Sequence, residues 1–295
     1  MKVRTKNFSF FILGVLFSLN ILAWIVVYDL SNPQLLAVNF FDVGQGDAIF
    51  IKSPQGHQIL IDGGPGPAIL EKLANEMPFY DRSLDLIILT HPEHDHLNGL
   101  IEVLKRYKVE NILWTGIIRD TAEYQEWKKL IKEEKAEIKI AQAGQKIIYS
   151  GSHTKEKRGY MEILHPLENL EGQEIKDSNN TSVIAKLIFG QNSFLFTGDA
   201  YQSIERELVD RELDIDSDVL KVGHHGSKTS SAEDFIEKVS PAIAVIQCGK
   251  NNSYGHPTEE VLRRLEKFGI KILRTDLDGD IKIISDGKNY EISNF

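Results

Sequence analysis

The sequence holds a single cysteine, Cys248, among 295 residues. An intrachain disulfide is therefore excluded, there is no disulfide partner, and any metal chemistry must rest on imidazole and carboxylate rather than thiolate. Cys248 itself reads as a small apolar residue of a buried strand. Basic charge is also in deficit, with 34 Lys and Arg against 43 Asp and Glu and a net charge of -9. That balance argues against broad, non-specific nucleic-acid binding, because phosphate contacts need Lys and Arg in number. A small cationic site can still engage one phosphate group. Internal repeats and low-complexity tracts are absent, and 42% hydrophobic with 26% charged residues is an ordinary globular composition with one main domain.

One apolar run stands apart. Residues 8–27 carry no charge, and at about 1.5 Å per residue a helix of that length spans a hydrocarbon core of roughly 30 Å. Lys2, Arg4 and Lys6 precede it, so the positive-inside tendency keeps the N-terminus cytoplasmic and sends the rest across the membrane. A cleavable signal peptide is the competing reading, but the run exceeds the usual apolar region of about 7 to 15 residues and no A-x-A-like site follows. The expectation is a cytoplasmic N-terminus over 1–7, a transmembrane anchor over 8–28, a linker over 29–35 and a globular domain over 36–295. The chain would then be a single-pass protein of the cell membrane with its domain on the extracytoplasmic side.

Within the domain, apolar and β-branched runs alternate with amphipathic stretches, the pattern of an α/β fold. Strands are predicted over 37–41, 48–52, 58–61, 84–90, 146–149, 161–164, 182–189, 193–197, 219–222, 242–247 and 270–274. Helices are predicted over 68–76, 97–107, 121–136, 204–210, 232–239 and 258–268. Ser53-Pro54-Gln55-Gly56 and Gly190-Gln191-Asn192 read as hairpin turns. The stretch from 144 to 177 carries little legible chemistry.

Histidine is scarce, nine in all, yet three fall in His91-Pro92-Glu93-His94-Asp95-His96, directly behind a predicted strand. Imidazole and carboxylate together suit zinc and its neighbours manganese and iron, whereas an all-oxygen calcium site has no use for three histidines. Further polar clusters follow other strands: Asp62-Gly63-Gly64, Thr197-Gly198-Asp199-Ala200 and Gly223-His224-His225-Gly226-Ser227. Each alone also reads as a helix cap, a turn or a satisfied buried residue. Together they place ligand-type side chains at strand C-terminal ends, where loops of a layered α/β fold converge on a ligand.

In order and spacing, these clusters resemble metallo-β-lactamase-fold hydrolases when taken with Phe41-Asp42-Val43-Gly44-Gln45-Gly46-Asp47-Ala48 and Tyr254-Gly255-His256-Pro257. They look most like the extracellular hydrolase domain of the ComEC family of DNA-uptake competence proteins, over about residues 36–295. The resemblance implies an αββα sandwich, two mixed sheets between outer helices, preceded here by the one expected transmembrane helix. The expected single anchor stands where those proteins carry a multi-helix channel.

The family's general ligand signature is H-x-H-x-D-H, and this chain departs from it at Glu93. The resemblance implies two divalent ions, zinc or manganese: His91 and Glu93 on the first, Asp95 and His96 on the second, and Asp199 bridging them. His94 falls at a position pointing away. Asn179-Asn180-Thr181-Ser182 occupies the place that often supplies a third histidine, which weakens the first site. His224 and His225 are expected in extended backbone with side chains on opposite sides, His225 as ligand and His224 as a substrate or supporting contact. His256 resembles a substrate-side proton donor.

The mechanism implied is hydrolysis by a metal-bound hydroxide, with Asp95 ligating and orienting the water and His224 or His256 protonating the leaving group. Asp62 is expected to staple loops behind the site. The 42–47 turn is expected to shape the fold. Three function classes stay open: a phosphodiesterase or nuclease, DNA being one substrate; a hydrolase of another ester or amide, such as a cell-wall phosphoester, a lactone or a β-lactam; and a non-catalytic anchored binding module. The sequence specifies no oligomer.

Overall fold

The structure, a computed structural model, describes the backbone of residues 2–31, 35–151 and 158–293, with side chains described over 8–24, 27, 35–149 and 159–293. The chain divides into two compact units, Met1–Gln34 and Leu35–Phe295. Helix α1 (Lys2–Ser31) makes up the first. Its described side chains over 8–24 are all exposed and include Phe10, Phe17, Leu22 and Trp24. Among the described residues, no helix is long and apolar enough to cross a membrane. The expected span over 8–28 is therefore not met there, and part of the expected linker, 32–34, lies outside the described residues.

The second unit runs β1 (Leu36–Phe40), β2 (Ile49–Lys52), β3 (Gln58–Ile61), α2 (Ala68–Glu76), β4 (Ser83–Ile88), α3 (His94–Leu104), β5 (Lys108–Trp114), α4 (Ala122–Glu134) and β6 (Glu137–Ile140). It continues through β7 (Lys146–Gly151), β8 (Arg158–His165), β9 (Ile184–Phe189), β10 (Asn192–Phe196), α5 (Gln202–Asp210) and β11 (Val219–Lys221). Then follow α6 (Glu233–Val239), β12 (Ile243–Ile246), α7 (Glu259–Lys267), β13 (Lys271–Arg274), α8 (Thr275–Asp278), β14 (Ile281–Ser285) and β15 (Tyr290–Ser293). The strands form two mixed sheets, an eight-stranded one in the order β15-β14-β1-β2-β3-β4-β5-β6 and a seven-stranded one in the order β13-β12-β11-β10-β9-β8-β7.

Strand periodicity explains the layering. On β2, Ile49 and Ile51 enter the core between the sheets, while Phe50 turns outward under the helices. On β10, Phe194 and Phe196 face the same inner core and Leu195 faces out. The outer core of the first sheet is closed by side chains of α2, α3 and α4. That of the second is closed by α5, α6 and α7. Both faces of each sheet are therefore buried, which is why these strands read as continuous apolar runs. The layers are the αββα sandwich that the family resemblance implies.

Strands β5, β6, β14 and β15 escape the sequence reading. In β6 the alternation Glu137-Ile138-Lys139-Ile140 is that of an exposed sheet edge, where charge blunts unwanted pairing. What matters for the site is direction. Strand β3 runs parallel to β4, and β10 runs parallel to β11, so the loops after each pair leave their sheet at one edge.

Candidate metal centre

The turn after β4 leads into α3, whose first residues are His94, Asp95 and His96. A side chain at Gly99 would place its Cβ 1.7 Å from the Gly63 carbonyl oxygen, so only glycine lets α3 seat on the 62–64 turn. That contact brings Asp62 to His96. His96 Nδ1 lies 2.8 Å from Asp62 Oδ2, while Thr90 donates its amide to Oδ1 at 2.8 Å and its hydroxyl to Oδ2 at 2.6 Å. Asp62 thus ties its own loop after β3 to the turn after β4 and the start of α3, the stapling the sequence suggested, and directs the other ring nitrogen of His96 away from itself.

That nitrogen faces a cluster. Asp95, His96, Asp199 and His225 each offer a ligand atom, all within 4.8 Å of one another. His225 Nε2 lies 3.2 Å from Asp95 Oδ2 and 3.4 Å from Asp199 Oδ2. His96 Nε2 lies 3.4 Å from Asp199 Oδ2. The back of the His225 ring is held as firmly, its Nδ1 2.8 Å from the Gln247 carbonyl oxygen and 3.3 Å from Asp47 Oδ1. Ser182 Oγ accepts the Asp199 amide at 3.0 Å.

His91 is fully buried beside this group, with its ring centroid 4.2 Å from that of His96. Its Nδ1 lies 3.0 Å from Thr90 Oγ1, but its Nε2 has no hydrogen-bond partner among the described residues. The same is true of His96 Nε2 and Asp199 Oδ1. Buried polar atoms are nearly always satisfied in folded proteins. Three orphans at one place, with carboxylate and imidazole donors converging, fit a divalent metal ion.

The charges agree with that reading. Burial alone would lower the pKa of His96 and of His225, but Asp199 with Asp62 and Asp95 raises His96 well above its usual value, and Asp199 with Asp47 does the same for His225. Asp199 answers in kind: burial favours its neutral form, yet the charges of His225 and His96 hold it well below the usual carboxylate range. Asp95 is lowered likewise, by His96 and His225 against its own burial. His91 goes the other way, pushed down to about 3 by burial and then by the charge of His96. His91 is thus held neutral beside its charged neighbours.

The other expected residues fall around this centre. Glu93 opens onto the same cavity of about 180 Å³, together with Gln45, Asp95, Asn179, Asp199, His224, His225, Tyr254 and His256. Its Oε1 accepts from Arg119 Nη2 at 2.7 Å and from the Ser178 hydroxyl, so Glu93 is not gathered with the four-residue group. His94 is exposed on α3, 3.6 Å from Glu123 Oε1, as its register implied. His224 and His225 correct the sequence reading. They sit in a tight left-handed turn (φ 47° and 54°), not in extended backbone. Consecutive positive φ angles on non-glycine residues are strained and cluster at functional sites. The turn sends His225 inward and leaves His224 partly exposed, its Nε2 3.8 Å from Asp199 Oδ2 and its ring stacked on Tyr201. His256 has a buried Nδ1 without a hydrogen-bond partner among the described residues, and its ring lies between Tyr254 and His224.

Sequence reasoning missed Lys221, Arg119, Gln45 and Gln247. Lys221 carried a signal, a lone charge in the apolar strand Val219-Leu220-Lys221-Val222.

An αββα sandwich with such a cluster at the loop edge defines the metallo-hydrolase fold class. The chain belongs to the Metallo-beta-lactamase superfamily, whose family profile matches residues 41–250. It is 33% identical over 265 residues to ComE operon protein 3 of Bacillus subtilis (strain 168), covering 83% of this chain and 32% of that protein. It is 32% identical over 254 residues to competence protein ComA of Neisseria gonorrhoeae, again covering 83% of this chain and 32% of that protein. The chain thus spans about a third of the length of these curated relatives, and the ComEC-type resemblance of its motifs holds. Among solved structures, the metallo-beta-lactamase fold protein YhfI from Bacillus subtilis superposes with a TM-score of 0.55 at 14% identity, covering 85% of this chain and 99% of that one. That likeness shows the fold.

Proposed function

We propose that this chain is a metal-dependent hydrolase of phosphodiester bonds, with DNA the first polymer to test. The observation that carries the proposal is the cluster of Asp95, His96, Asp199 and His225, three of which, Asp95, Asp199 and His225, line one small cavity together with His224 and His256. These four residues would hold one divalent ion, zinc or manganese. His91 and Glu93, sharing Asp199, would hold a second and weaker one. When bound, such ions acidify water and stabilise charge on phosphoryl oxygens.

The protein's own groups do the rest. Asp95, beside the His225 ring, orients the attacking water. His256 lines the same cavity, where it can protonate a leaving alkoxide. Asn179 Nδ2, 3.5 Å from His224 Nε2, lines the rim where a phosphoryl oxygen would rest. A cavity this small admits a phosphate group and leaves the flanking parts of a substrate outside it.

We also read α1 as attaching the chain to a membrane. Its exposed apolar side chains support this, because so much apolar surface is unfavourable in water. Incubating the whole chain with Mn²⁺ or Zn²⁺ and bis-p-nitrophenyl phosphate, single-stranded DNA or a chromogenic β-lactam tests the activity. Turnover of the first two supports the reading. Cleavage of the β-lactam alone overturns the substrate, and no turnover with any metal favours a binding module.

A further inference from the structure

Lys221 is fully buried between the sheets, where a charged side chain is found only when it is paired. It does not line the cavity, so it cannot touch a substrate held there. Its ammonium instead makes three contacts on the inner side of the cluster: an ion pair with Asp47 Oδ2, a hydrogen bond donated to the Gly198 carbonyl oxygen at 3.0 Å, and an approach to Asp199 Oδ1 at 3.9 Å. Gly198 and Asp199 follow β10, whereas Asp47 lies on the loop after β1 in the other sheet. Lys221 therefore joins the Gly198-Asp199 loop of one sheet to the Asp47 loop of the other through one charge.

Asp47 carries that link onward. Its Oδ1 lies 3.3 Å from His225 Nδ1 and its Oδ2 3.9 Å from His96 Nδ1, while its amide donates to the Asp95 carbonyl oxygen at 3.2 Å. Each of the four clustered residues is thus reached either directly by Lys221 or through Asp47. A second effect follows from the same pairing. Asp47, Asp62 and His96 form another group whose ligand atoms lie within 4.8 Å, a rival place for a cation on the wrong side of His96. The ammonium on Asp47 occupies the carboxylate that this rival site would need.

We propose that Lys221 is a positioning residue: its buried ammonium, set between Asp47 and Asp199, arranges the ligands before a metal arrives, assigns His96 to the cavity-facing centre, and so sets metal affinity. The inference rests on the reading of Asp95, His96, Asp199 and His225 as a metal centre.

The test is calorimetric titration of the whole chain with Mn²⁺ and with Zn²⁺, alongside melting curves of the metal-free protein. Two variants are compared with wild type. Lys221→Gln keeps a donor on a slightly shorter side chain but removes the charge. Lys221→Met combined with Asp47→Asn removes both charges, so no unpaired buried ion is left to unfold the protein. The expected result is a metal-free melt close to wild type for the double variant, with metal binding weakened by roughly 10- to 100-fold in both, the range for residues that orient ligands without touching metal. A folded variant that binds within about 3-fold of wild type overturns the inference, since the pair would then be structural only. If Lys221→Gln fails to fold, the double variant decides by the same criterion. Wild-type protein that binds neither ion removes the centre itself, and with it this inference.

Discussion

Asp62 Oδ2 and His96 Nδ1 lie 2.8 Å apart, both fully enclosed by the loops that α3 and the 62–64 turn press together. The pairing decides which nitrogen of His96 faces the cluster. Asp62→Asn keeps the shape but loses the charge that fixes the ring. Metal affinity is expected to drop about 10- to 100-fold with the fold retained, as read by competitive titration against a chelating dye. Unchanged affinity would place Asp62 outside the centre's support.

Asp199 is the residue that both clustered imidazoles approach, at 3.4 Å each. Asp199→Ala is expected to abolish turnover and to reduce metal content, measured by elemental analysis of the purified chain. Retained wild-type turnover would sink its assignment.

Glu93 gives a narrower test, because Arg119 and Ser178 already hold one of its oxygens. If Glu93 serves a weak first site, Glu93→Ala should take metal content from near two ions per chain toward one. The second ion should stay on Asp95, His96, Asp199 and His225. A ratio near one in both proteins would mean that Glu93 belongs to Arg119 alone.

His256→Ala should leave metal content unchanged and lower kcat by about 10²- to 10⁴-fold, the usual share of a proton donor. Burial, then the charges of His224 and His225, lowers the pKa of His256. Turnover through its protonated form should therefore fall as pH rises above that lowered value, and His256→Ala should lose this limb of the pH profile.

Proton linkage supplies the next test. His96 and His225 have raised pKa values without metal, so binding must release their protons and affinity should climb with pH. The metal-free fold should respond oppositely. Stability from these raised imidazoles is fully present below about pH 6.5, their unfolded value, and is lost as pH rises through the folded values. Stability from the lowered Asp199 is present above about pH 3.9 and is lost as pH falls through its folded value. Melting of the metal-free chain across pH checks both limbs. A metal-free melt that keeps rising through pH 8 would contradict the charge arrangement.

Much of the site was legible because its chemistry sits at strand ends. The clusters at Asp62, His91, Asp199 and His225 could be read from residue type and from the apolar runs preceding them. The supporting pair was not legible, because Asp47 and Lys221 meet only when the two sheets close, 174 positions apart in the numbering. Nor was the conformation of His224 and His225, since a left-handed pair without glycine contradicts local preference and persists only where the surrounding fold imposes it. Edge strand β6 was hidden by charge alternation that serves the sheet edge rather than the core.

The most direct measurement is the rate of bis-p-nitrophenyl phosphate hydrolysis by the whole chain, stripped of metal and then titrated with Mn²⁺ or Zn²⁺, beside Asp199→Ala treated identically. Stripped protein is expected to show no turnover, wild type turnover that rises and saturates with metal, and the variant none at any metal level. Hydrolysis that is indifferent to metal, or equal in the variant, would contradict that expectation.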